Sequence, residues 1–169
     1  MNDTIEPARA SALLLEALSS TFADMAFIDV ERARAAAGER ARAAAGIPAP
    51  APEPRAESVR VAIDVLRPLS LRLELECSVS LKERIEATLF QDESSAERAS
   101  REDSLLEILN VAAGVFLTSY FGPGADIKLE LPQYLFVSDG SEGEVLAEAS
   151  ADAEGERLRA ALRSIRYRY

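Results

Sequence analysis

Residues 59–77 alternate twice over. Val59, Val61, Ile63 and Val65 take turns with Arg60, Ala62 and Asp64. After Arg67-Pro68-Leu69-Ser70, Leu71, Leu73, Leu75 and Cys77 take turns with Arg72, Glu74, Glu76 and Ser78. A period of two places one set of side chains on each face of an extended chain. Proline at the break favours a turn through its fixed φ. The two runs therefore predict an antiparallel hairpin with one dry face and one charged face. A lone hairpin is marginal in water, so other elements must cover the dry face. Cys77 falls on that face and reads as a buried core thiol, not as a nucleophile.

Helical periods supply the cover. Over residues 8–24, Leu14, Leu18, Phe22 and Met25 form one stripe, and 26–30 read as a short strand or extended exit. Ser80-Leu81-Lys82-Glu83 reads as a capping box, with Ser80 at the N-cap and Glu83 at N3. It opens a helix to about Gln91, with Leu81, Ile85 and Leu89 inward, and the polar residues 92–99 form a loop. A third helix runs from about Arg101 to Phe121 and stops at Gly122-Pro123-Gly124. Ile127, Leu129 and Leu131 then alternate with Lys128 and Glu130 in a strand closed by Pro132, which 133–137 can continue. The last third admits two readings. Residues 145–151 and 157–167 form a hairpin around Ala153-Glu154-Gly155-Glu156, or Leu158, Leu162 and Ile165 mark a helix over 156–166. The hairpin is preferred, because half-dry strands need further partners to complete a sheet. The order predicts an α+β fold, a largely antiparallel sheet packed against three α-helices.

Composition narrows the chemistry. The chain has 169 residues, 48% of them hydrophobic, enough for one domain with a real core. Histidine is absent, which removes a Ser/His/Asp triad, a His general base, His-ligated metal and a phospho-accepting histidine. One cysteine removes an intrachain disulfide and any CxxC site. A net charge of −10 argues against nucleic acid and anionic membrane surfaces as partners. No run of about 18 apolar residues is present, so no membrane insertion is expected. Residues 1–10 carry no signal-peptide pattern, and a cytoplasmic location is expected. The charge is uneven: residues 101–156 hold twelve acids and two bases, whereas 157–168 hold five arginines and no acid. Residues 31–46 are ERARAAAG written twice, followed by alternating prolines to Pro54. Two short copies make no solenoid. The stretch 31–57 reads as a low-complexity surface insertion, with an arginine-bearing binding tail as the alternative.

The helix over 101–121 is the element that offers chemistry. At 100° per residue, Leu105, Ile108, Leu109, Ala112, Phe116 and Tyr120 gather on one side as the core stripe. Asp103, Glu107, Asn110, Gly114 and Thr118 gather opposite. A carboxylate and a carboxamide thus lie one turn apart, with a glycine a turn beyond. Glycine inside a helix costs about 1 kcal/mol against alanine. Gly114 therefore answers either to close packing on a neighbouring element or to a partner's backbone coming close. Glu107 has two readings as well. Ser104-Leu105-Leu106-Glu107 is itself a capping box, which would occupy Glu107 at the helix end. Ser100-Arg101-Glu102-Asp103 offers an earlier start, which would leave Glu107 free. Asn110 is either a solvated residue of poor helix propensity or a functional amide.

The stretch Glu107-Ile-Leu-Asn110-Val-Ala-Ala-Gly114, then Phe121-Gly122 and Ile127-Lys-Leu-Glu-Leu-Pro132, resembles the CheX/CheC family of chemotaxis phosphatases. Their signature is Asp or Ser, three residues, Glu, two residues, Asn, and a later Pro after a strand. Asp103, Glu107 and Asn110 fit it, and Pro132 falls one place short of the usual spacing. The opening helix and its exit, Leu15 to Val30, resemble the family's first elements. The resemblance implies a phosphatase of a phosphorylated CheY-like response regulator. Glu107 would pair with a lysine of the regulator, and the Asn110 amide would position water for in-line attack on the aspartyl phosphate. Asp103 and Gly114 would lie in the docking face. It implies no cofactor of the chain's own, with Mg2+ carried by the regulator. The first helix reads Glu16-Ala17-Leu18-Ser19 where CheC-type members carry a second site, so the single-site CheX type is implied, with a homodimer. The insertion, the short Pro spacing and Leu71 after the turn depart from the family pattern. The competing reading is a non-catalytic CheX-like binding module in a two-component or chemotaxis system. A structural domain that interacts through its Ala/Arg/Pro arm is a third.

Overall fold

The computed structural model describes residues 5–33, 57–89, 104–136 and 143–165. Most of the expected insertion, the expected loop 92–99 and Asp103 lie outside the described residues. Within them the chain forms α1 (Pro7–Ala26), β1 (Val30–Arg32), β2 (Ser58–Arg67), β3 (Leu71–Ser78), α2 (Val79–Leu89), α3 (Ser104–Phe121), β4 (Lys128–Leu129), β5 (Gln133–Leu135), β6 (Val145–Ala153) and β7 (Glu156–Ser164). All pairings are antiparallel. The sheet order is β1-β6-β7-β3-β2-β4, and β5 also pairs with β2. The α+β architecture with three helices is the one expected.

Both hairpins form in the expected register of faces. In the first, Val59↔Cys77, Val61↔Leu75, Ile63↔Leu73 and Val65↔Leu71 lie opposite one another. In the second, Ala149↔Ala160 and Ala151↔Leu158 do so. The helical spacing of Leu158 and Leu162 loses because β3 offers an open edge. Leu158 pairs with Cys77 and Leu162 with Leu73, so the segment joins the ladder. Small alanines at 147, 149, 151 and 153 all turn inward and are buried, which lets α1 lie close on β6. Cys77 is buried as expected. Burial pushes its thiol pKa up from 9.0 to about 12, against a small opposing pull from Lys82.

Four expectations change in detail. Residues 27–29 are not strand. α1 runs on to Ala26, Phe27 takes a left-handed φ of 55°, and the Ile28 amide donates to Phe22 O at 3.2 Å. That six-residue closure ends the helix with buried Ile28 packed back on it, so β1 begins only at Val30. Secondly, α2 is capped by Ser78 and not by Ser80. Ser78 Oγ accepts the Leu81 amide at 3.1 Å and donates to Glu156 Oε2 at 2.7 Å. Ser80 donates to Glu156 Oε1 at 2.8 Å, so the two serine hydroxyls share one carboxylate from β7. These hydroxyls draw the Glu156 pKa below the ordinary 4.5, with Arg84 adding to the effect.

Thirdly, the strand over 127–137 is two short pieces along one side of β2. Lys128–Leu129 sit at Val65 and Arg67, and Gln133–Leu135 at Arg60–Ala62. Pro132, which has no amide to donate, lies in the gap. Fourthly, the charged face of the first hairpin is not simply wet. Asp64 and Glu74 are only 8% and 7% exposed. Arg72, directly opposite Asp64, grips it with two hydrogen bonds of 2.6 and 2.9 Å. Arg163 places its Nε 3.1 Å from Glu74 Oε2. Long arginine stems lying over neighbouring strands bury these acids on the side away from the helices.

Helices α1, α2 and α3 cover the inward face. α1 packs on α3 and β6, and α3 packs on β2. α3 is long and apolar enough by length and composition to cross a bilayer, a length the sequence was not expected to provide. Its Leu105, Ile108, Leu109, Ala112, Ala113, Phe116 and Leu117 are fully buried inside the domain.

Candidate functional site

The buried arc of α3 is wider than the expected stripe. It takes in Ala113 and Leu117 besides Leu105, Ile108, Leu109, Ala112 and Phe116, because α1, β2 and α2 all press on the helix. Measured from Leu105, the remaining arc runs from about 140° at Asn110, through about 180° at Gly114 and 200° at Glu107, to 280° at Val115. Glu107, Val115 and Thr118 are exposed, while Asn110, Val111 and Gly114 are half-buried. Three of the four expected site residues, Glu107, Asn110 and Gly114, are therefore brought to one face. Asp103 lies outside the described residues. Val111 and Val115 were missed; the same helical wheel puts them beside the polar arc, at about 240° and 280°.

The capping-box reading of Glu107 does not hold. Ser104 Oγ is buried and makes no hydrogen bond, so it caps no amide. Ser104 is already helical, one turn before Glu107. Among the described residues, the Glu107 carboxylate has no ion pair and the Asn110 amide no hydrogen bond. Glu107 is the acidic residue of the first turn of α3. The packing explanation for Gly114 also falls away. A Cβ built there meets no atom within 4 Å, and its φ is not left-handed. Among the described residues, three polar or minimal side chains on one face are thus unused by the fold.

The far end of α3 is tied down. Tyr120 Oη accepts the Glu6 amide at 2.8 Å, and Arg9 donates to Tyr120 O at 3.1 Å. The Arg9 guanidinium lies 4.7 Å from the centre of the Tyr120 ring. The matching place on α1 is spent differently. Ser19 Oγ donates to Val30 O at 3.0 Å, tying α1 to β1. A cleft of about 100 Å³ opens on the far face of the sheet, lined by Arg60, Glu74, Glu76, Arg159, Ala161 and Arg163. Two of its arginines are already engaged: Arg163 meets Glu74, and Arg159 donates to Glu148, outside the cleft, at 2.6 Å. The candidate site is instead an open helix face, suited to a macromolecule.

Solved structures share this architecture. A chemotaxis protein CheX from Desulfovibrio desulfuricans superposes with a TM-score of 0.64 at 9% identity, over 90% of this chain and 97% of that one. CheX from Vibrio vulnificus gives 0.61 at 12% identity, over 91% and 97%. The fold is that of CheX. A CheX-CheY-BeF3-Mg2+ complex from Borrelia burgdorferi gives 0.57 at 15% identity, over 90% of this chain and 95% of that one. No protein-family model and no curated protein sequence matches the chain. The CheX likeness at these identities is one of fold, and it agrees with the expected element order from the first helix to the final hairpin.

Proposed function

We propose that the chain is a phosphatase of a phosphorylated CheY-like response regulator, working in the cytoplasm in chemotaxis or a related two-component circuit. One observation carries the reading: Glu107 and Asn110 share the open face of α3 and, among the described residues, neither is used by the fold. The complex of CheX with CheY, BeF3 and Mg2+ supports the partner class, and in this reading the Mg2+ is carried by the regulator.

The chemistry follows from the residue types. Glu107 meets a lysine of the regulator and fixes the docking register. Asn110 holds a water by its amide, in line with the acyl phosphate. The water oxygen bonds to phosphorus, the bond from phosphorus to the aspartyl oxygen breaks, and the aspartate leaves as carboxylate. The water's protons pass to the released phosphate and to solvent. Such a step needs a positioned nucleophile and charge stabilisation more than a strong base. That suits a chain without histidine. Asp103 precedes Glu107 by four residues and belongs to the same docking face in this reading. Ser19, committed to Val30, leaves α1 without an amide in the matching place, which supports a single site.

A second copy completes the reading. The β4–β5 edge exposes two large apolar side chains, Leu131 and Phe136, 89% and 70% exposed, which suits association with the same edge of another chain. The deciding experiment is phosphate release from a panel of receiver domains phosphorylated by a small-molecule donor with Mg2+. Acceleration above the receivers' own rate supports the phosphatase. Tight binding of receivers without acceleration leaves the binding module in its place.

A further inference from the structure

We infer that Gly114 is the seat for the regulator's backbone on α3, and so sets the distance between the aspartyl phosphate and the Asn110 amide. The inference rests on the phosphatase reading above and adds a positioning residue to it.

A glycine in mid-helix can be required by a left-handed backbone, by close packing within the chain, or by close approach from outside. Gly114 has no left-handed φ. Among the described residues, nothing outside the helix's own nearby backbone lies within 4 Å of where its Cβ would stand. It lies in the second half of an 18-residue helix, at a place where alanine would stabilise. Close approach from outside is the requirement left. The position fits it. Gly114 lies about 6 Å along the helix from Asn110 and about 40° around it. Glu107 lies about 4.5 Å on the other side of Asn110. The amide therefore stands between an ion-pairing group and a bare stretch of backbone. Val111 and Thr118 flank the bare stretch as shoulders. A partner held by Glu107 at one end rests directly on the helix at the other, and the water is trapped at the middle.

A methyl at 114 would stand about 1.5 Å above the Cα, where the partner's main chain belongs. Displacement by about 1 Å at a reacting centre costs roughly 10²-fold in rate. Gly114→Ala should therefore raise the melting temperature and lower kcat for dephosphorylation by roughly 10²-fold. Affinity for the same receiver loaded with beryllium trifluoride and Mg2+ should fall far less. Gly114→Leu should lower affinity as well. Ser119→Ala, on the same helix off this face, should change neither.

Melting, binding and turnover are measured on the same four proteins. Gly114→Ala with a higher melting temperature and unchanged turnover overturns the inference while the phosphatase stands. A lower melting temperature also overturns it, because the glycine would then serve internal packing. A wild-type chain that accelerates dephosphorylation of no receiver removes the underlying reading, and the inference with it.

Discussion

Replacing Asn110 by alanine separates catalysis from folding, because the two should move in opposite directions. The amide is half-buried at the rim of the open face and makes no hydrogen bond among the described residues. Its removal orphans no partner, so the usual cost of an unsatisfied buried group does not arise. Alanine is the better helix former by about 0.5 kcal/mol. In a chain of this size that corresponds to roughly 1–2 °C of melting temperature, upward. Turnover should fall instead by about 10²–10³-fold, the loss that follows removal of one preorganised polar group, or about 2.7–4 kcal/mol of transition-state stabilisation. Binding of a receiver loaded with beryllium trifluoride should stay close to wild type, since Glu107 and the rest of the face remain. The assay is phosphate release from a phosphorylated receiver at saturating and sub-saturating concentrations, beside thermal melting by circular dichroism. Unchanged turnover in Asn110→Ala refutes the catalytic assignment. A melting temperature lowered by several degrees refutes the claim that the fold does not use the amide.

Glu107→Ala should lower affinity and rate together, by about 2–5 kcal/mol in total if its ion pair with the partner is desolvated. Its melting temperature should move by no more than the loss of a first-turn charge, about 0.3–1 kcal/mol, and a larger loss would restore the capping reading. Asp64→Ala takes from Arg72, whose side chain is 19% exposed, the carboxylate it grips with two hydrogen bonds, and should cost up to about 3–5 kcal/mol in urea unfolding. The double change Asp64→Leu with Arg72→Met should recover most of that; equal losses in both would sink the argument. Glu156→Gln tests the serine clasp. Hydrogen bonds from Ser78 and Ser80 hold the folded carboxyl pKa below 4.5, so its contribution is present above that value and fades as pH falls through the folded pKa. The stability gap between wild type and Glu156→Gln should shrink on acidification. A gap independent of pH would count against it.

The period-two runs made the sheet readable because burial on one face leaves a mark every second residue. Even the ambiguous segment around Leu158 was decided by the unfilled edge of β3, a requirement stated by strands far away in sequence. Caps were read less well. Ser80 and Ser104 both have the right neighbours in sequence, yet Ser78 does the capping in one case and the Ser104 hydroxyl does none in the other. The winning partner, Glu156, comes from another strand, which a local pattern cannot contain. Asp64 and Glu74 looked like solvent-facing residues because alternation does not show that arginines on adjacent strands will roof them. At the site, helical spacing brought Glu107, Asn110 and Gly114 together correctly. That Gly114 has open space above it is a property of the packed neighbours and had to be seen in three dimensions.

The clasp of Glu6 and Arg9 on Tyr120 bears on the direction in which α3 points. A helix behaves as a screw: sliding it by one residue advances it by about 1.5 Å and turns it by about 100°. Such a slip would swing Asn110 to the place of buried Leu109 or of half-buried Val111, and put one of those apolar side chains where the amide stood. The clasp binds the last turn of one screw to the first turn of its antiparallel neighbour, through a backbone amide, a ring and a carbonyl at once. It stops the thread from turning. Arg9, on a different helix and making no use of the open face, thereby keeps the bearing of an amide three helical turns away.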